Sequence, residues 1–377
     1  MLGISVYPYK ENESETLEYI KLASQYGYKR VFTNLLTIDV AEKETIIGRF
    51  KKVILYARQL GMEVVLDINP NVFDKLNISY NDLSFFKQLG ATGIRLDSTF
   101  SGLEESLMTY DASDLDLEIN ISNDTYYLEN LRSYASNLKK IIGCHNFYPQ
   151  RYTGLDYDYF IKCSSKYKNM GLRTAAFVNS HSADHGPHEY MDGLCTLEIH
   201  RDLPIEIQAK HLIATGVIDD IIIANTYASQ EELARLSNVC QDMIELDVEF
   251  VDNISDLEKD IVLNNQHFNR GDINSYSIRS TFVKLKYKNI NIVPQNTQEK
   301  LFFGDITIGN NSFGQYKGEL NIVKQTMKNI GSAKNVVARV TKNNKFLIQY
   351  INPWTKFKFK EKSGGNDTNG RNGANFV

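Results

Sequence analysis

The chain has 377 residues, 42% hydrophobic and 23% charged, which fits an ordinary globular protein of one large domain and one smaller one. A formal net charge of −4 gives no basis for nucleic acid or an anionic membrane as partner. The cysteines, Cys144, Cys163, Cys195 and Cys240, lack CxxC or metal-ligand spacing. No run is long and apolar enough to cross a bilayer, and "MLGISVYPYK" opens as a strand rather than a signal peptide, so a cytoplasmic protein is expected.

In chain order, amphipathic helices end at a glycine and a short apolar strand follows. After the opening strand "LGISVYP" come Gly27 with "YKRVFTN", Gly61 with "MEVVLDIN" and Gly90 with "ATGIRLDS". "LDLEINIS" and "IIGCHNFY" are next, then Gly171 with "LRTAAFVN" and Gly216 with "VIDDIIIAN". Ser79 is a candidate cap for the helix in "SYNDLSFFKQLG" and Asn123 for that in "NDTYYLENLRSYASNL". Eight strands alternating with helices predict an α/β fold, a closed (β/α)8 TIM barrel. A doubly wound sheet would carry a Gly-rich nucleotide loop after its first strand, and none is present.

After about residue 245 the pattern changes to strand-like runs between Gly, Asn and Pro turns. These are "IVLNNQHFN", "INSYSIRST", "LFFGDITIG", "YKGELNIVKQ", "NVVARVT" and "KFLIQYINPW". The expected organisation is a barrel over 1–244, a small all-β domain over 245–357, and a disordered Gly- and Asn-rich tail over 358–377.

A barrel enzyme places its chemistry at the carboxyl ends of its strands. Asp67 and Asn69 end strand three, Arg95 and Asp97 strand four, Glu118 and Asn120 strand five. Strand six delivers His145, Asn146, Tyr148 and Arg151, and the segment after strand seven delivers Glu198, His200 and Arg201. Barrel layers are normally Val, Ile and Leu, so this collection implies a polar substrate. Structural pairing, such as Arg95 with Glu118, is the competing reading for any single residue.

Paired carboxylates suit glycoside hydrolysis, with Asp97, held ionised by Arg95, as base or nucleophile and Asp67 or Glu118 as proton donor. Tyr148 and Tyr152 are placed to stack on a sugar ring. The segment "HSADHGPHEY", with His181, Asp184, His185 and His188, reads as a solvated loop rather than a metal site, and no cofactor is expected. The tripeptide at 270–272 carries no adhesion meaning in such a chain.

These segments resemble bacterial 6-phospho-N-acetylmuramidases. The likeness rests on "GISVYP", "LDIN", "GIRLD", "HNFYPQRYTGLD" and "GLCTLEIHR", then on "RGDINSYSIRS" and "YKGELNIV". Cys195 stands where the family pattern has proline. The resemblance implies a cyclophilin-like second domain and cytosolic hydrolysis of N-acetylmuramic acid 6-phosphate–N-acetylglucosamine in peptidoglycan recycling. It also implies recognition of two anionic groups, for which Arg201, Arg270 and Arg279 are the candidates for the phosphate. The partner is then a small phosphorylated disaccharide. Two other functions fit parts of the pattern: a barrel lyase or phosphodiesterase using His145 and His200, and a non-catalytic sugar-phosphate sensor.

Overall fold

The computed structural model describes residues 1–9, 11–36 and 43–362. It forms two compact units, Met1–Val239 and Cys240 onward.

In the first unit eight parallel strands close into a barrel: β1 (Leu2–Val6), β2 (Arg30–Asn34), β3 (Glu63–Ile68), β4 (Gly93–Leu96), β5 (Asp116–Asn120), β6 (Ile141–Cys144), β7 (Arg173–Val178) and β8 (Asp220–Ile223). Strand β8 returns to β1 through the register Leu2↔Ile221 to Ile4↔Ile223. The expected barrel is therefore present, with its strands at the expected segments. Alternation decides what each face does. Outward residues such as Ile4, Val31, Val64, Leu66, Ile94 and Leu117 pack against the helices in one large core. Inward residues divide by sector. Phe32, Cys144, Ala175, Phe177, Ile222 and Ala224 form an apolar cluster, whereas β3 to β5 send in Asp67, Arg95 and Glu118.

Two helix starts differ from expectation. The helix Ser84–Leu89 begins after Leu83, and Ser79 Oγ instead accepts the Asn81 N–H at 3.2 Å in a preceding turn. The helix Tyr127–Ser133 begins after Tyr126 without a side-chain cap, so Asn123 lies in the loop before it. Both hydroxyl and amide side chains serve turns as readily as caps. Gly90 (φ 98°) and Gly216 (φ 70°) do end their helices in the left-handed conformation.

The second unit is a seven-stranded sheet with a separate two-stranded ribbon. Its strands are β9 (Ile244–Phe250), β10 (His267–Phe268), β11 (Ser277–Ser280), β12 (Lys300–Leu301), β13 (Asp305–Gly309), β14 (Leu320–Val323), β15 (Met327–Lys328), β16 (Lys334–Val340) and β17 (Lys356–Glu361). The sheet order is β10-β17-β9-β16-β13-β14-β11, and β12 pairs with β15. Most of "KFLIQYINPW" is a 3-10 segment rather than a strand, and "IVLNNQHFN" starts inside a helix, Asp256–Leu263, that Ser255 and Glu258 cap reciprocally. Strand β17 enters the segment expected to be tail: alternating Phe357 and Phe359 are buried while β17 pairs in parallel with β9. Residues 363–377 of that tail lie outside the described residues.

Candidate active site

The register of the barrel brings neighbouring charges together. Asp67 on β3 lies opposite Arg95 on β4, and Arg95 opposite Glu118 on β5. Arg95 is 2% exposed, and its Nη1 donates to Asp67 Oδ1 at 2.6 Å and to Asp97 Oδ1 at 3.3 Å. Its Nη2 donates to Asn146 Oδ1, just past β6. The Asp67 and Asp97 oxygens share one nitrogen, so they lie within about 6 Å of each other.

The two carboxylates differ in environment. The Asp67 side chain is 4% exposed and that of Asp97 is 43% exposed. Burial pushes the Asp67 carboxyl up to about 7, against the pull of the Arg95 guanidinium. Asp97 instead lines an open cavity of about 530 Å³ together with Ser98, Thr99, Asn120, Asn123 and Tyr127. That cavity is walled by hydroxyls, amides and a phenol, a lining suited to a polyhydroxylated ligand.

Glu118, expected at the mouth, is fully buried and paired with Arg30 at the opposite end of β2. Arg30 also donates to Asp220 at 2.5 Å, and Asp220 meets Arg173 at 2.7 Å and the N-terminal ammonium at 3.5 Å. This network occupies the amino ends of β2, β7 and β8, the stability face of a barrel. Glu118 therefore ties the barrel interior downward, and its carboxyl is raised by burial against the opposing Arg30 charge. The competing pairing of Arg95 with Glu118 is therefore not formed: Arg95 bonds Asp67 and Glu118 bonds Arg30.

The remaining expected residues divide by what already holds them. Asn69 Oδ1 accepts the Val72 N–H and caps the helix Pro70–Leu76. Asn120 Oδ1 accepts the Ser122 N–H at 2.9 Å, and the residue lines the cavity. His145 is fully buried between Ser122 and Ser164, and burial, with Arg95 adding, pushes it down to about 3. His200 is likewise buried, bonded to His211 at 2.8 Å and held well below its usual range by burial.

Glu198 and Arg201 fasten the loop after β6. Glu198 accepts the Tyr152 and Gly154 N–H groups at 2.8 Å each, and Arg201 bonds Glu198 and the carbonyls of Tyr148, Gln150 and Asp192. Burial alone would raise Glu198, but Arg201 and the two amides outweigh it and hold the carboxyl at about 2. A Cβ on Gly154 would lie 2.7 Å from the Glu198 backbone nitrogen, so only glycine permits this approach. Tyr148 is half-buried in the same loop, and Tyr152 at its tip is 85% exposed. Arg151 is bidentate to Asp202 and bonded to Asp192. In the second unit Arg270 pairs with Asp272 and Arg279 with Glu319.

The histidine-containing segment is anchored at separate points: His181 Nε2 donates to the Arg201 carbonyl at 3.0 Å and His185 pairs with Asp184. Among the described residues no three His, Cys, Asp or Glu side chains are gathered as an ion would require. Sequence reading overlooked Asn34, whose amide reaches Asp67 at 3.5 Å, and Glu11, a buried carboxylate that accepts from Thr16. Asn34 closes the segment "RVFTN", so its place at a strand's carboxyl end was a signal. Glu11 lies in no strand or helix, so neither pattern pointed to it.

Models of the two parts of one family match this chain: "6-phospho-N-acetylmuramidase, N-terminal" over residues 2–238 and "6-phospho-N-acetylmuramidase, C-terminal" over residues 244–360. The chain belongs to the 6-phospho-N-acetylmuramidase family. Among solved structures it is 47% identical to an uncharacterized Bacillus cereus protein, covering 96% of this chain and 99% of that one, with a TM-score of 0.87. A conserved Enterococcus faecalis protein of unknown function shares the fold at 23% identity and a TM-score of 0.67, with 96% of each chain covered. No curated protein matches the sequence.

Proposed function

We propose that the barrel hydrolyses the glycosidic bond of N-acetylmuramic acid 6-phosphate–N-acetylglucosamine, a cytoplasmic step of peptidoglycan recycling. One observation carries the reading: Asp97 stands at the end of β4, bonded to Arg95 and open to a cavity lined with amides and hydroxyls, while Asp67 shares the same guanidinium nitrogen from within. Asp97 is the nucleophile and Asp67, raised toward neutrality by burial, supplies and recovers the proton. A separation within about 6 Å fits a retaining mechanism, because an inverting pair must leave room for water between its carboxyl groups. Arg95 holds both carboxylates in register and Asn146 fixes its other nitrogen.

Arg151 is the arginine we assign to the phosphate. It sits on the loop after β6, and its partner Asp202 is 76% exposed, so that pair exchanges for a stronger dianion at small cost. Arg201 is engaged by Glu198 and by backbone carbonyls, and releasing it would free the loop. The chemistry calls for no metal. Lyase or phosphodiesterase chemistry on His145 and His200 is disfavoured by their full burial and depressed basicity.

The test is turnover of the phosphorylated disaccharide by the wild type and Asp97→Asn, with anomeric configuration of the first-formed product read by NMR. Retained configuration and a deficient variant are expected. Binding without cleavage would favour a sensor, and an inverted product would refute the nucleophile assignment.

A further inference from the structure

The second unit carries a cavity of its own, about 560 Å³, lined by Arg270, Gly271, Asp272, Thr281, Phe282 and Trp354. Its aromatic members are unusually bare for their size: Trp354 is 56% exposed and Phe282 51% exposed. They are nevertheless fixed. Phe268 lies between them, stacked on Trp354 at 6.1 Å between centroids and tilted against Phe282 at 5.2 Å. Trp354 holds a left-handed backbone (φ 64°), costly for a bulky residue, and its N–H is tied to the Asn269 carbonyl at 3.0 Å. The indole rests directly on the Gly271 backbone, where an added Cβ would come within 2.7 Å of the ring. Asn269 in turn bonds the Ile351 carbonyl, and the Arg270 N–H bonds the Arg279 carbonyl.

Beside this shelf stands a hydrogen-bonding fork. Arg270 Nη2 donates to Asp272 Oδ2 at 2.6 Å and its Nε to the other carboxylate oxygen. The fork therefore offers donors and acceptors side by side with little net charge. An anion would meet Asp272, a cation would meet Arg270, and a wholly apolar ligand would leave the fork unserved. A neutral ring with one C–H face and a rim of hydroxyls satisfies both halves, the face on the aromatic shelf and vicinal hydroxyls on the fork.

We propose that this pocket is a pyranose-binding site for a neutral sugar such as N-acetylglucosamine, independent of the hydrolase reading. The chain has a single tryptophan, so intrinsic tryptophan emission reports this pocket alone. Titrating the full-length protein with N-acetylglucosamine gives a saturable emission shift with a Kd on the order of millimolar, appropriate to one small ring. Phe282→Ala, a change at an exposed side chain, and Gly271→Ala, which displaces the indole, each raise that Kd about fivefold or more. Both substitutions lie in the lining of this cavity, so their effect on Kd separates it from sugar bound in the barrel. Absence of a saturable shift overturns the proposal. So does a shift that survives both pocket variants, or one produced by an aromatic peptide and not by the sugar. Unchanged ellipticity of the variants confirms that the fold is intact.

Discussion

Arg30→Met tests whether the buried charge network is a structural brace. Arg30 is fully buried with Glu118 and Asp220 as partners, both themselves buried. Methionine removes the cation. Asp220 keeps Arg173 at 2.7 Å and the chain's ammonium at 3.5 Å, so Glu118 is the group left uncompensated. Its least costly recourse is to bind a proton, since burial already raises its carboxyl. Protonating a carboxyl of ordinary pKa near 4.3 costs about 3.7 kcal/mol at about pH 7 and about 1 kcal/mol at about pH 5. The first figure falls in the range of roughly 3–5 kcal/mol for breaking a buried pair from one side. The sign follows from the direction of the shift. A carboxyl raised in the folded state contributes stability below its unfolded pKa, and that contribution is lost as pH rises toward the folded value. The deficit of the variant should therefore grow with pH by up to about 1.4 kcal/mol per unit between these conditions. Urea unfolding followed by helical ellipticity at both pH values measures it. Adding Glu118→Leu should recover most of the loss at the higher pH. A deficit that is small, or the same at both pH values, would refute the assignment of an uncompensated Glu118.

Several further outcomes bear on the site. In Asp67→Asn, the fall in kcat as pH rises through about 7 should disappear along with most of the activity, because the buried acid that titrates there is gone; a variant with the same alkaline limb would place the proton donor elsewhere. Arg151→Ala should raise KM for the phosphorylated disaccharide about tenfold or more with little change in kcat, and should not affect the unphosphorylated sugar. Equal kcat/KM for the two substrates in the wild type would remove phosphate recognition from the proposal. Glu198→Gln should lower melting temperature and raise sensitivity to proteolysis in the 150–155 loop, since the charge-assisted bonds to Tyr152, Gly154 and Arg201 weaken together.

The barrel was legible because its signal repeats: eight apolar segments, several introduced by a glycine that the fold then uses at positive φ. The inward direction of Arg95 and Asp97 was also legible, since alternation on one short strand settles it. Pairing across strands was not. Arg30, Glu118 and Asp220 come from three distant segments, and their meeting depends on strand stagger, which no local pattern encodes. Glu198 and Arg201 read as mouth residues because they follow a barrel strand; their hydrogen bonds go to each other and to backbone of the loop after β6. The final strand escaped notice because "KFKFKE" has charges on alternate positions and adjoins a polar tail.

Arg30 and Arg95 are both cations inside the barrel, and their partners make opposite predictions about them. The partners of Arg30 are 0% and 2% exposed, so every charge in that set is enclosed and can act only on folding. Arg95 has one enclosed partner, Asp67, and one, Asp97, that is 43% exposed and faces a cavity. Asp97→Asn removes charge from a group already in contact with water, so it should change stability by less than about 1 kcal/mol, as partly solvated pairs do. If Asp97 attacks the anomeric carbon, the same substitution should lower kcat by several orders of magnitude, because an amide keeps the shape without the nucleophilic oxygen. Arg30→Met should do the reverse, lowering the unfolding midpoint while kcat per folded molecule is retained. Measuring midpoint and turnover on both variants therefore crosses the two readings. A destabilised Asp97→Asn with near-normal turnover would make Arg95 a second brace and return the catalytic role to a carboxylate outside this pair.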